Sequence, residues 1–170
     1  MSQAFVKEPD EGAPEDGFPE RQISDHPNYV TPAGLRQLEE KLGELEKRRL
    51  ELLAAAEGGG DLTRGQRDYI DRDLRYFTRR LATAILVDPR RQARRKVQFG
   101  AAVTVSEQDG AQRTFMIVGE DEADLKAGKI SYVSPLAEAL LEARVGATVI
   151  WRRPAGNRDL TIAAIDYPEE

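Results

Sequence analysis

The chain has 170 residues, a formal net charge of -5, one histidine and no cysteine. That length suits one ordinary domain, or a small domain with an accessory element, and the lack of cysteine excludes disulfides, thiol catalysis and cysteine-ligated metal centres. The single histidine, His26, lies in a polar stretch and gives no basis for histidine chemistry. No apolar run approaches the ~20 residues of a membrane span, and the N-terminus lacks the pattern of a signal peptide, so we expect a cytoplasmic protein without membrane contact.

Charge is unevenly distributed along the chain. Residues 1–28 hold seven acidic and two basic side chains, residues 29–98 hold eleven and sixteen, and residues 99–170 hold twelve and seven. The basic middle could approach phosphate groups or an acidic protein surface. Residues 1–28 are rich in Pro, Gly, Glu and Asp and poor in large apolar side chains, so their composition predicts a flexible acidic tail.

Residues 29–88 have the pattern of two helices joined by a turn. Thr31 is placed to cap the first helix, with Pro32 at its first position. The run EGGGDLTRGQRDY at 57–69 interrupts the helical pattern, because each interior glycine costs about 1 kcal/mol relative to alanine. These features predict an antiparallel hairpin with its tip near 58–65. Its expected apolar seam consists of Leu35, Leu38, Leu42, Leu45, Leu52 and Ala56 on the first helix, interrupted by Arg49, and Ile70, Leu74, Phe77, Leu81 and Ala84 on the second, which Asp88-Pro89 would end.

The pattern changes after a basic linker at 89–98. Residues 99–170 predict a small, largely antiparallel α+β domain, with a first hairpin turning at Asp109-Gly110. A short strand at GKISYVS, a helix begun by Ser134 and Pro135, and a second hairpin around PAGN complete it. Candidate inward residues of the first hairpin are Val103, Val105, Phe115 and Ile117.

Three stretches of this domain closely resemble one bacterial family. FGAAVTV, IVGEDEADLKAGKIS and SPLAEALLEARVGATV resemble the C-terminal domain of Gre transcript-cleavage and elongation factors, and TPAGLRQLEEKL, GDL and VDP extend the resemblance into the hairpin. The resemblance implies a coiled-coil hairpin followed by an FKBP-like β-sheet domain with a short helix. It also implies docking on the rim of the RNA polymerase secondary channel, with the hairpin pointing toward the catalytic magnesium.

The hairpin tip departs from the Gre pattern. In the family, an Asp and a Glu at the tip help to hold a second magnesium ion in the polymerase active site, in a motif that reads roughly Gly-Asp-Leu-Ser-Glu-Asn. Here GDLTRGQRDY keeps Asp61, places Arg64 where the Glu would stand, and offers Asp68 as a further acid. A guanidinium cannot ligate magnesium. Asp61 and Asp68 are therefore the tip candidates, and Asp61 is a candidate ligand for Mg²⁺ shared with the polymerase, with no cofactor of the protein's own.

Two further considerations bear on the tip. From Thr31 to Asp88 there are 57 residue steps, about a dozen fewer than in the family hairpin, which would shorten the reach by ~9 Å. The alternative role for Asp61 is an ordinary N-cap of the second helix.

Other candidate contacts come from the same resemblance. Ser134 and Pro135 match the loop that contacts the polymerase, although they also make a good helix start. Asp121 and Glu122, in the acidic turn GEDEAD, are candidate polymerase contacts or simply part of a solvated loop. The basic stripe on the second helix is a candidate contact for the RNA 3′ segment or for acidic channel walls, its alternative being a solvated helix face; it consists of Arg72, Arg75, Arg79 and Arg80.

These features favour a monomeric, non-enzymatic Gre-family regulator that binds RNA polymerase and modulates elongation or initiation without efficient transcript cleavage. One alternative is an active cleavage factor in which Asp61 and Asp68 form the acidic pair. Another is an adaptor whose leucine seam pairs with helices of another protein. A prolyl isomerase is suggested only by the FKBP-like fold, and fold alone is a poor guide to function.

Overall fold

A helical hairpin and a curled β-sheet domain make up the computed structural model, which describes residues 18–58 and 64–168. Helix α1 spans Pro32–Glu57 and helix α2 spans Arg64–Ala82. Thr31 caps α1 as predicted, because its side-chain oxygen accepts a hydrogen bond from the Gly34 N–H at 2.9 Å. The predicted fold class, a helical hairpin followed by an α+β domain, is confirmed.

The predicted apolar seam joins the two helices. Leu38, Leu45 and Ile70 are buried, and the remaining predicted seam residues are half-buried. Arg49, which interrupts the seam in the sequence, points outward, and its Nε donates a hydrogen bond to Asp71 of α2 at 2.7 Å. The hairpin is therefore held by a narrow apolar interface with a charged pair at its edge.

The second helix ends earlier than predicted. The sequence pattern extends it to Asp88-Pro89, but α2 stops at Ala82 and the chain continues into a two-residue strand, β2, at Ile85–Leu86. β2 pairs in parallel with β1, Tyr29–Val30, which precedes α1. The N–H groups of Ile85 and Val87 donate to the carbonyls of Asn28 and Val30 at 2.8 and 2.9 Å. β-Branched and apolar residues thus pair with β1 here instead of extending the helix.

The C-terminal domain contains five strands and one helix: β3 Ala102–Ser106, β4 Gln112–Val118, β5 Lys129–Ser131, α3 Pro135–Leu140, β6 Thr148–Trp151 and β7 Arg158–Asp166. The strands form one sheet in the order β5-β4-β3-β7-β6. All neighbouring strands are antiparallel except β4 and β5, so the sheet is mixed. The predicted hairpin turn at Asp109-Gly110 and the helix start at Ser134 and Pro135 are both found.

One apolar core fills the space between the sheet and α3. Val103, Val105 and Ile117 are buried as predicted, and Phe115 packs at the edge of the core. Val97 is completely buried, although the sequence places it in the basic linker at 89–98, and its N–H donates to the Ala143 carbonyl at 2.8 Å. The end of the linker is therefore part of the domain.

The segment before β1 lies along the hairpin. Composition predicts a flexible tail up to residue 28, but residues 18–28 contact α2 from its base to its first turn. Asn28 Nδ2 donates to the Arg80 carbonyl at 2.7 Å, and the Phe18 and Tyr69 rings meet edge to face with centroids 6.1 Å apart. We call residues 18–26 the N-terminal arm. Residues 1–17 of the predicted tail lie outside the described residues.

None of the helices in the described part of the chain is long and apolar enough to cross a lipid bilayer.

Candidate functional site

Most of the acidic turn at 119–124 faces the hairpin, whereas Ala123 and Asp124 are exposed. Glu122 is buried, with its side chain 2% exposed. Its Oε2 accepts a hydrogen bond from the Thr31 hydroxyl at 2.6 Å, and Lys129 Nζ lies 3.4 Å from Oε1. A carboxylate so placed joins the start of α1 to the domain. The assignment of Glu122 as a polymerase contact is therefore corrected.

Asp121 and Arg80 form a second link between the hairpin and the domain. The Arg80 side chain is only 3% exposed, its Nε donates to Asp121, and its Nη2 lies 3.7 Å from Glu120. The Tyr76 hydroxyl donates to the other Asp121 oxygen at 2.6 Å. The predictions that Arg80 contacts RNA and that Asp121 contacts polymerase are therefore corrected, because the two side chains bind each other. Both belong to a buried junction.

The environment of Tyr76 sets an alkaline limit on this junction. Burial, followed by the hydrogen bond to Asp121, raises the pKa of Tyr76 from 10.0 to about 12. The unfolded chain therefore loses the tyrosine proton first as the pH rises. The stabilising contribution of Tyr76 is complete below pH 10 and declines as the pH rises toward about 12.

Close backbone packing completes the junction. A Cβ atom on Gly119 would lie 2.4 Å from the Tyr29 carbonyl oxygen, so only glycine fits there. The rings of Tyr29, Phe99 and Tyr132 pack against one another, with centroids 5.4 to 5.9 Å apart. Backbone, aromatic and ionic contacts thus fix the base of the hairpin against the domain.

A groove opens on the domain beside Ser134 and Pro135. The Ser134 Oγ accepts from the Ala137 N–H at 3.3 Å and caps α3, while Pro135 is exposed at the groove wall. The groove has a volume of about 620 Å³. Leu125, which is 82% exposed, stands at its edge. The groove is lined by Arg113, Phe115, Leu125, Ile130, Ser134, Pro135, Leu136, Trp151, Arg152, Arg153, Pro154 and Ala155.

Several groove residues do not emerge from the sequence reasoning. Trp151 supplies a large ring, over which the Arg153 guanidinium lies 5.0 Å from the centroid. The run IWRRP at 150–154 contains a signal, because Trp and Arg side chains are favoured at protein interfaces. Phe115 and Leu125 come from other elements, so only the fold brings them to Trp151.

The hairpin tip is described only in part. Asp61 lies outside the described residues, so neither its predicted N-cap role nor its role as a magnesium ligand is tested. Arg64 opens α2, and Asp68 follows one turn later as a half-buried residue. Within residues 18–58 and 64–168, no group of three or more acidic or histidine side chains is arranged to hold a metal ion.

Arg72 and Arg75 of the predicted basic stripe lie beside the N-terminal arm. Arg72 Nη2 lies 3.1 Å from Asp73, and the Arg72 guanidinium lies 4.6 Å from the centroid of the Tyr69 ring. Arg75 donates to Glu20 of the arm, and this hydrogen bond lowers the pKa of the Glu20 carboxyl. Arg79 is exposed. The structure therefore divides the stripe into one buried junction residue, two residues engaged in contacts beside the arm, and one exposed residue.

Beside the arm, α1 and α2 border a second cavity of about 780 Å³. Leu45, Ile70 and Phe77 form its apolar floor, and Lys41 and Arg48 contribute positive charge. This cavity lies on the hairpin, away from the domain groove.

A hairpin fixed at its base to a small β-sheet domain with an apolar groove defines a class of two-part proteins. Residues 92–167 match the family model described as transcription elongation factor, GreA/GreB, C-term.

Curated relatives extend this match to most of the chain. The transcription elongation factor GreB of Neisseria meningitidis serogroup B is 40% identical over 153 residues, covering 82% of this chain and 94% of the relative. The transcription elongation factor GreA of Thioalkalivibrio sulfidiphilus is 35% identical over 152 residues, covering 81% and 96%. The chain belongs to the GreA/GreB family of transcription elongation factors.

Two solved structures also match this chain over most of its length. The GreA factor homolog 1 (Gfh1) protein of Thermus thermophilus is 22% identical with a TM-score of 0.39, covering 83% of this chain and 99% of that chain. The GreA/GreB factor from Nitrosomonas europaea is 21% identical with a TM-score of 0.41, covering 82% and 98%.

Proposed function

We propose that the protein binds RNA polymerase through the groove of its C-terminal domain and extends the hairpin into the secondary channel. The observation that carries this proposal is the apolar groove beside Ser134 and Pro135, where the Gre resemblance places the polymerase contact. The names of the relatives, which are transcription elongation factors, support the same assignment. In this role the protein modulates elongation or initiation and is not itself an enzyme.

The chemistry of the groove defines the surface that it would bind. Phe115 and Trp151 offer an apolar floor, Leu125 adds an apolar side chain at the edge, and Arg152 and Arg153 add positive charge. Buried aromatic and arginine side chains carry much of the binding energy in protein interfaces. The matching polymerase surface would therefore present an apolar side chain flanked by acidic residues.

Leu125→Asp is expected to weaken polymerase binding about tenfold or more, because it places a carboxylate at the apolar edge of the groove and loses a contact of hot-spot size. The measurement is a fluorescence titration of labelled protein with core RNA polymerase from the source organism. Leu125 is 82% exposed, so the melting temperature should not change.

Val145→Asp is the matched control, because Val145 is also exposed, at 58%, and lies outside the groove lining. It should bind like the wild type. Equal affinity of both variants and the wild type would remove the groove from the interface.

The proposal includes weak or absent stimulation of transcript cleavage. Arg64 supplies a fixed positive charge at the position of the family glutamate. From Thr31 to Asp88 there are 57 residue steps, about a dozen fewer than the Gre resemblance implies, which corresponds to ~9 Å of reach. A lost ligand and a shorter hairpin both act against delivery of a carboxylate to magnesium, which requires an oxygen at about 2.0 to 2.1 Å from the ion.

Addition of the wild-type protein to a stalled, backtracked elongation complex is expected to leave the RNA uncut, and Asp61→Ala is expected to change little. Arg64→Glu restores the charge but not the ~9 Å of reach, so cleavage should remain weak unless about one heptad is also inserted in each arm of the hairpin. RNA shortening is followed on denaturing gels.

Polymerase binding by each variant, measured in parallel, separates a failure to cleave from a failure to bind. Strong cleavage by the wild type that Asp61→Ala abolishes would contradict the proposal. It would make the protein an active cleavage factor that shares Mg²⁺ with the polymerase through Asp61.

A further inference from the structure

A cationic segment lies at the base of the hairpin, in the connection between β2 and the C-terminal domain. Residues 90–96 contain five basic side chains and no acidic one. We call this segment the arginine loop. It ends at the buried Val97, it is separated from α2 by β2, and it contributes no residue to the lining of the domain groove.

Hydrogen bonds hold the backbone of the arginine loop in place. The Ala93 N–H donates to Gln98 Oε1 at 3.1 Å, and the Lys96 carbonyl accepts from the Tyr167 hydroxyl at 2.7 Å. Val97, the next residue, is completely buried in the core. None of these contacts uses an arginine side chain. The backbone of the loop is therefore fixed while its arginines remain available, and a fixed loop loses less conformational entropy when it binds a ligand.

Most of the positive charge on the arginine loop is not neutralised within the protein. Lys96 pairs with Glu142, and Arg90 Nη2 lies 2.8 Å from Asp88. The other three cations are exposed and form no ion pair with any residue in the described part of the chain; they are Arg91, Arg94 and Arg95. The loop therefore presents three unpaired guanidinium groups to solvent.

The chemistry of the arginine loop fits the phosphate groups of a nucleic acid duplex. A guanidinium donates two parallel N–H bonds to a phosphate, which makes arginine well suited to phosphate recognition. The loop has no aromatic side chain and so offers no ring for the unstacked bases of a single strand. It also has no apolar side chain larger than Ala93, whereas protein interfaces draw much of their binding energy from a few large buried side chains. The backbone of a duplex requires neither feature.

The formal net charge of -5 does not oppose binding to an anion at this place. Exposed charges more than about 8 Å apart are largely screened at physiological salt. The attraction near the loop is therefore governed by local charges, and the two carboxylates that contact the loop, Asp88 and Glu142, are each paired with one of its cations.

We infer that the arginine loop binds the phosphate backbone of duplex DNA without regard to base sequence. Phosphate contacts position a protein on a duplex but carry no sequence information. The site lies at the opposite end of the hairpin from the tip. It goes beyond the proposed function, because a protein docked on polymerase through the domain groove could then contact DNA as well.

The test uses the full-length protein and a short fluorescein-labelled DNA duplex of mixed sequence, with binding followed by fluorescence anisotropy. Three phosphate contacts predict a slope of about -2.7 for log K against log salt concentration, which is a loss of about fortyfold in affinity between about 50 and 200 mM salt. The Arg91→Ala/Arg94→Ala/Arg95→Ala variant is expected to bind about tenfold or more weakly at low salt, with a slope close to zero.

Lys47→Ala/Arg48→Ala/Lys126→Ala is the matched control, because it removes the same three charges from exposed positions outside the arginine loop. It should bind the duplex like the wild type and with the same salt dependence. All six positions are exposed, so both variants should keep the melting temperature of the wild type.

Three outcomes would overturn the inference: no salt-dependent binding by the wild type, equal losses in the two variants, or tighter binding of a single strand of the same length. An arginine variant that keeps its DNA affinity but loses affinity for core RNA polymerase would assign the loop to an acidic protein surface instead. The DNA measurements use no polymerase, so they can fail while docking through the domain groove holds, and the reverse.

Discussion

Leu45→Asp is expected to unfold the helical hairpin while the C-terminal domain remains folded. Leu45 is 7% exposed in the interface between α1 and α2, and the basic side chains of Lys41 and Arg48, which line the same cavity, are exposed and not buried with it. An ionised carboxylate in an apolar interface costs several kcal/mol, and the narrow seam has few other buried contacts to offset that cost. The core of the C-terminal domain is a separate cluster that contains no hairpin residue. The substitution should therefore unfold the hairpin and leave the C-terminal domain folded.

Circular dichroism measures this loss, because α1 and α2 contain 26 and 19 residues and α3 only six. Most of the helical signal should disappear while a melting transition of the sheet domain remains. Leu50→Asp is the matched control, since Leu50 lies on the same helix but is 65% exposed. Full helicity of the Leu45 variant would mean that the seam is not the interface that holds the hairpin.

Arg80→Met is expected to destabilise the folded chain by about 3 kcal/mol, because removal of one partner from a buried ion pair leaves the other charge uncompensated. The Arg80 side chain is 3% exposed, and its partner Asp121 is 15% exposed. Asp121 would retain the Tyr76 hydroxyl but lose its cation. Urea denaturation measures the change in the free energy of unfolding.

Arg79→Met provides the comparison for Arg80, since it removes the same charge from the adjacent, exposed residue. A surface change of this kind is usually within about 0.5 kcal/mol. If both variants lose the same amount of stability, the junction does not depend on the buried pair.

Most of the fold is predictable from short sequence patterns. The caps at Thr31 and Ser134 and the turn at Gly110 follow from residue types that satisfy particular backbone groups over three or four positions. Local patterns do not predict the residue at which α2 ends. Its helical periodicity runs on through Ala84, and only pairing with β1, more than fifty residues earlier, turns Ile85–Leu86 into a strand.

The functional residues were harder to assign because charge in a sequence does not reveal burial. Arg80, Asp121 and Glu122 were expected on exposed surfaces, yet their partners lie 41 and 91 positions away along the chain. The domain groove has the same difficulty, since Phe115, Leu125 and Trp151 come from three elements. Ser134 and Pro135 are candidates for a polymerase contact only through the family resemblance.

The pairing of β1 with β2 makes the length of the hairpin independent of its attachment. The two ends of the hairpin pair in this small parallel sheet. At the same level, Thr31 and Arg80 form hydrogen bonds to Glu122 and Asp121 of the domain. Matched insertions or deletions near the tip would therefore move the tip by 1.5 Å per residue in each helix without altering the base. Natural or engineered changes in sequence can therefore alter the distance from the domain to the tip while the contacts at the base of the hairpin stay the same.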